Sequence, residues 1–214
     1  MTKPVVREPL RRHARSNRAR ILAAARQELG RNPDVTLEEI ARAAGVVRRT
    51  LHGHFPGRAA LLDALADEAS EALRRVATEA PDAREAPQRA LARFVLAIWP
   101  VGDRYRLLLG LARQDLGAER VSDLLAPARN EATAILERGQ RTGVFHTHLP
   151  AGVLSTALEA VTLALLESVN TGAWEDDGTR TAIATLVAAG VSEETAASTV
   201  EAVASEFQAD TSES

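Results

Sequence analysis

From Arg58 to the C-terminus, apolar residues recur at three- and four-residue intervals and nowhere alternate one by one. That period places one face of a helix against a core, whereas a half-buried strand needs a period of two. Breaks such as "PDAREAP" are short and rich in Pro. The pattern predicts helices over about 58–79, 86–99, 103–116, 119–125, 127–142, 151–170, 178–189 and 192–208. Upstream, helices are predicted over about 16–30, 36–45 and 47–54. The fold class is therefore all-α.

The chain has 214 residues, 45% of them hydrophobic, enough to bury a sizeable core in one or two domains. It contains no cysteine, which excludes disulfide frameworks, thiolate metal sites and cysteine nucleophiles. No uninterrupted apolar run approaches the roughly 18 residues of a membrane span. The N-terminal "MTKPVVREPLRRHARSNRAR" lacks the apolar core and cleavage site of a secretory signal. A soluble cytoplasmic protein with no membrane partner is expected.

Charge is divided sharply along the chain. Residues 1–60 hold 13 Lys and Arg against 5 Asp and Glu, and the remainder hold 13 against 24. A basic first quarter on an acidic body points to a polyanion met by the N-terminal part alone. Four segments are expected: a flexible basic arm (1–15), a three-helix basic domain (16–60), a helical acidic domain (61–209) and a disordered tail (210–214).

The motif behind that division lies at "TLEEIARAAGVVRRTLHGHF". Thr36 with Glu39 three residues on is a capping-box start. Ala44 allows close helix approach, Gly45 permits a left-handed turn, and Val46 plugs the space between two short helices. This is a helix-turn-helix, whose second helix enters the major groove while the first crosses the backbone. Arg48 and Arg49 then suit guanine edges or phosphates, and Thr50 suits a phosphate, a thymine methyl or a local helix bond.

"ILAAARQELGRNPDVTLEEIARAAGVVRRTLHGHFPGRAALLDAL", Ile21 to Leu65, resembles the N-terminal DNA-binding domain of the TetR family of transcriptional regulators. The elements that carry the resemblance are "IL.AA", the Thr36 start, "IA..AGV", "TL..HF" and the arginine two residues after Pro56. Further on, "ILERGQRTGVF" is similar to the end of the family's seventh helix. The resemblance implies a homodimer that binds a palindromic double-stranded DNA operator, most commonly as a repressor. It also implies release of that operator when a small-molecule effector enters the C-terminal domain. The chain departs from the family pattern at three places. Val47 stands where Ser or Thr usually caps the recognition helix, Arg49 where glycine is preferred, and His52-Gly53 where an aromatic pair is usual.

The DNA-binding set expected is Thr36, Arg48, Arg49, Thr50, His52, His54 and Arg58. Thr36 caps its helix, and that helix N-terminus also suits a phosphate. His52 and His54 read as packing or phosphate-side residues. Arg58 opposes its own helix dipole, which a phosphate partner would explain. Arg49 faces the groove and is expected to read a base, while Arg48 leans toward the backbone. Arg11, Arg12, Arg15, Arg18 and Arg20 suit either a flanking minor groove or a solvated arm.

In the C-terminal part Phe94, Ile98, Trp99 and Tyr105 supply either pocket walls or ordinary core. Glu159 and Glu167 read as salt-bridge partners of other helices or as groups that meet a cation in a pocket. The helix 151–170 is apolar nearly all round, so burial by its own subunit and by a partner is expected. The last helix offers Ala196, Val200, Val203 and Phe207 at coiled-coil-like spacing. Together 151–170 and 192–208 are expected to form a homodimer interface. His146 and His148 sit in a loop with no third ligand, so no metal or cofactor is expected.

Two other functions compete. An all-helical enzyme lacks support: no Glu-x-x-His pair, phosphate loop or nucleophile motif is present, and no enzyme activity is expected. A ligand-independent architectural DNA protein leaves the acidic body of about 150 residues without a task.

Overall fold

The computed structural model describes residues 7–79 and 84–212. Among them the chain forms nine helices and no strand: α1 (Arg7–Arg31), α2 (Leu37–Ala43), α3 (Arg48–His54), α4 (Arg58–Thr78), α5 (Pro87–Asp115), α6 (Gly117–Arg141), α7 (Ala151–Asn170), α8 (Thr179–Ala188) and α9 (Glu193–Ser212). Two compact units divide them, one of residues 1–68 and 107–121, the other of 69–106 and 122–214.

In the first unit α1 buries Ile21, Leu22, Ala25 and Leu29, the stripe read from the sequence. It begins at Arg7, so residues 7–15, expected to belong to a flexible arm, are helical. The arm's first six residues, and the side chains of Arg11 and Arg12, lie outside the described residues. After α1 the side chain of Asn32 accepts from the Asp34 N–H at 3.0 Å, and Val35 turns inward to burial. This folded-back turn delivers the chain to Thr36.

The second unit closes around Leu91, Phe94, Val95, Ile135, Leu136, Phe145, Leu154, Leu158, Leu186 and Val200. Two breaks expected in the sequence are absent. Pro100 lies inside α5 and Pro127 inside α6, so the four helices predicted there are two. A proline removes one helical N–H and strands the carbonyl four residues earlier. Pro100 itself is exposed, while its neighbour Trp99 is buried, so packing outweighs a bond lost on the outer side.

α7 buries Leu154, Ser155, Leu158 and Leu166. Its outer side is Val153, Thr156, Ala157, Ala160, Val161 and Ala164, all exposed and all at helical spacing. By length and a mean hydropathy of 1.5 alone α7 could cross a membrane, and 22% of it is buried within the protein. α9 differs from expectation. Ala196, Val200 and Val203 point into their own unit's core, where α8 packs along α9. A three-and-four spacing marks a buried stripe but not whose core buries it. Of the four expected interface residues on α9 only Phe207 is exposed, with the Arg93 guanidinium 5.8 Å from its ring centroid. α9 also continues through Ser212, into the expected tail.

Candidate nucleic-acid interface

The helix-turn-helix is built from local signals that all agree. The Thr36 hydroxyl accepts from the Glu39 N–H at 3.3 Å, and the Glu39 carboxylate accepts from the Thr36 N–H at 2.8 Å. Both halves of the capping box are present, and the bonds that the Thr36 N–H and then the Thr36 hydroxyl donate to the Glu39 carboxylate hold it below the usual carboxylate range. α2 ends when Gly45 takes φ of +63°. The Val46 N–H then reaches the Ala41 carbonyl at 2.9 Å, and the Gly45 N–H the Arg42 carbonyl at 3.0 Å. These are the paired bonds of a helix closed by a left-handed glycine. α3 starts at once, anchored by buried Leu51 and by Phe55 just beyond its end.

Burying Leu51 turns the opposite side of α3 outward. Arg48, Arg49 and Gly53 are exposed there, with Thr50, His52 and His54 half-buried beside them. Arg48 is already engaged: its Nε lies 2.9 Å from the Glu38 carboxylate and 3.3 Å from His52 Nε2, to which it donates. Arg49 makes no ion pair or hydrogen bond among the described residues. An unpaired guanidinium on the outer face of a recognition helix keeps all five donors for an incoming acceptor. His54 lies against Phe55, ring centroids 6.3 Å apart.

Two expectations change. The Thr36 hydroxyl also donates to Glu39 at 2.7 Å, and Glu38 stands beside it, so two carboxylates occupy the first turn of α2. Anionic charge there offsets the attraction a helix N-terminus has for phosphate. Arg58 is turned inward. It donates to the Pro33 carbonyl at 2.5 Å and the Val35 carbonyl at 3.1 Å, with Asp115 at 3.7 Å. The cation at the head of α4 is explained by the carbonyls of the preceding turn, so phosphate is not required.

One contributor was not read from the sequence as a part of the motif. Arg20 on α1 donates to the carbonyls of Ala44 at 2.6 Å and Gly45 at 2.9 Å, holding the turn between α2 and α3. Arg18 stacks over Phe55, 5.3 Å from its ring centroid. Two of the presumed arm residues thus brace the motif from behind.

In the second unit Phe94, Trp99 and Tyr105 are buried, and Ile98 packs against the core at its edge. A Cβ on Gly178 would lie 2.8 Å from Trp99 Cγ, so the loop before α8 rests on the indole. Glu159 is held by Arg129 through two bonds of 2.9 and 3.0 Å, a bidentate pair between α7 and α6. Glu167 is exposed, and among the described residues its carboxylate meets Asn170 of its own helix, at 3.2 Å. Eight residues advance a helix by about 80° beyond whole turns, so the two glutamates do not share a face. His146 binds the Ala188 carbonyl through Nε2 at 3.0 Å and stacks on His148 with centroids 5.1 Å apart.

Residues 21–65 match the family model described as bacterial regulatory proteins, tetR family. No curated protein matches the chain. Among solved structures, the chain is similar to CprB of S. coelicolor A3(2), a TetR family protein, at TM-score 0.70 and 21% identity, covering 89% of this chain and 98% of that one. It is also similar to RolR in complex with resorcinol, at TM-score 0.60 and 20% identity, covering 88% and 95%. A third is SmeT, repressor of the multidrug efflux pump SmeDEF of Stenotrophomonas maltophilia, at TM-score 0.62 and 20% identity, covering 80% and 89%. At these identities the likeness is one of fold.

Proposed function

We propose that this chain, whose residues 21–65 match the TetR family model, is a TetR-type bacterial transcriptional regulator, a cytoplasmic repressor that leaves a palindromic operator when it binds a small molecule. The observation that carries the reading is the outer face of α3. Exposed Arg48 and unpaired Arg49 stand on a helix that follows a turn fixed by the left-handed Gly45 and the Arg20 clamp, behind an α2 that a complete capping box starts. A helix set by that turn and by the burial of Leu51 and Phe55, with cations left facing solvent, suits insertion into a major groove.

Arg49 reads a base in this proposal, Arg48 leaves Glu38 for a phosphate, and Thr50, His52 and His54 line the contact. Thr36 serves the fold first and a phosphate second. A homodimer sets two such helices about one DNA turn apart. The exposed stripe from Val153 to Ala164 on α7 supports that assembly, because small and apolar residues there allow close packing with a second copy. Effector binding falls to the second unit, where Phe94, Ile98, Trp99 and Tyr105 supply its walls. RolR, of the same fold, holds resorcinol, and SmeT is a repressor, which favours a ligand-controlled repressor here. The task is binding rather than catalysis.

Selection of duplexes from a random pool by the full-length protein tests this. A single enriched inverted repeat is the expected result, with release by some member of a metabolite library. Recovery of unenriched DNA would refute sequence-specific regulation.

A further inference from the structure

At the head of α3 stands Val47, 69% exposed, more than any other large apolar residue among the described residues. Its backbone carbonyl is committed to the helix it begins. The carbonyl accepts from the Thr50 N–H at 2.9 Å and the Leu51 N–H at 3.2 Å, and φ and ψ of −76° and 151° are those of a helix N-cap. The side chain caps nothing. An N-cap is ordinarily Ser, Thr, Asp or Asn, whose oxygen meets an orphan N–H of the first turn. Valine forgoes that bond and places two methyl groups in water. Being β-branched, it also holds them in few rotamers.

Residues at the N-terminal end of a recognition helix are those that reach base edges. The largest apolar group on the major-groove edges is the C5 methyl of thymine; the groups that tell the bases apart otherwise are hydrogen-bond donors and acceptors. Valine has nothing to offer the polar groups. Resting on the proposed DNA-binding role, we infer that Val47 is a specificity determinant that reads one thymine methyl in each half-site, beside the base read by Arg49. The contact takes both apolar surfaces out of water, and the stiff side chain reaches the groove without first losing rotamer freedom.

The test starts from the selected operator and replaces each thymine in turn by deoxyuridine, which deletes the methyl and leaves the pairing edge intact. Wild-type protein is expected to lose about fourfold in affinity at one thymine of each half-site, and more than tenfold with both replaced. Val47→Ala and Val47→Ser should bind the thymine and uracil operators equally at that position. Val47→Ser should also melt at higher temperature than wild type because it restores the cap, which shows that its loss of discrimination is not a loss of fold. A flat uracil scan, an operator with no A·T pair beneath α3, or an unchanged uracil penalty in Val47→Ala overturns the assignment of Val47 alone. Failure to enrich any operator overturns the regulatory function beneath it.

Discussion

The Arg20 guanidinium occupies the place beside Gly45 that a side chain would need: a Cβ there would sit 2.9 Å from Nη2. The two residues are 25 apart in the chain, and a bond of 2.9 Å joins Arg20 to the Gly45 carbonyl. Gly45→Ala therefore meets two costs, a left-handed backbone at φ +63° and displacement of the clamp. The left-handed conformation alone costs about 1–2 kcal/mol for a residue with a Cβ. Arg20→Ala leaves the glycine and frees only the carbonyls. Denaturant melts should rank wild type above Arg20→Ala above Gly45→Ala. Equal stability of Gly45→Ala and wild type would mean the turn is not built as described.

Arg48 and Arg49 are neighbours with opposite states, one paired to Glu38 and one unpaired. Arg49→Ala is expected to lower the operator-to-scrambled affinity ratio by about 1–3 kcal/mol at one symmetric pair of positions. Arg48→Ala should weaken both duplexes alike and reduce the salt slope by about one. Glu38→Gln frees Arg48 and removes a charge that repels phosphate, so binding to any duplex should tighten, by about threefold for an exposed pair. Affinities for both duplexes at two salt concentrations decide this; a ratio untouched by Arg49→Ala sinks the base-reading role.

Val161 and Val203 separate two ways of losing a helix bundle. Val161 is 43% exposed on the outer stripe of α7, whereas Val203 is fully buried in its own unit. A charge buried without a partner costs several kcal/mol wherever it falls. Val161→Asp should thus sediment as a folded monomer with native helical circular dichroism. Val203→Asp should unfold or precipitate. A dimeric Val161→Asp places the interface off this stripe.

The acid side of the stability profile should carry the signature of Glu206. Its carboxylate accepts from Arg93 and Arg89, each at 2.6 Å, and the Arg93 bond leads in pulling its pKa below the ordinary 4.5. A pKa lower in the folded than in the unfolded state stabilises the fold above the unfolded value. That contribution is lost as pH falls through the folded one. Wild type should melt above Glu206→Gln near neutral pH, and the gap should narrow as the pH falls below 4.5 and through the lowered folded-state pKa. A gap that persists in acid would assign the effect to packing instead of charge.

What the sequence disclosed was local. Thr36 with Glu39, and Gly45 after Ala44, are signals whose partners stand within a few residues, so α2, its turn and α3 were legible. The roles of Arg20 and Arg58 were not, because the carbonyls they serve lie 23 to 25 residues away and look like any other backbone. Pro100 and Pro127 misled in the opposite direction, since the penalty of a proline is local while the packing that overrides it is tertiary. Val203 was recognised as buried but given to the wrong core.

The contact between Gly178 and Trp99 gives the second unit an optical reporter of its own. The chain has two tryptophans: Trp99 lies under the loop that precedes α8, and Trp174 lies on that loop with Arg180 6.0 Å from its ring. A shift of this loop moves one indole relative to water and uncovers the other. Intrinsic emission can therefore follow occupancy of that unit without a dye or a label, and Trp174→Phe would leave Trp99 as the single emitter in a titration.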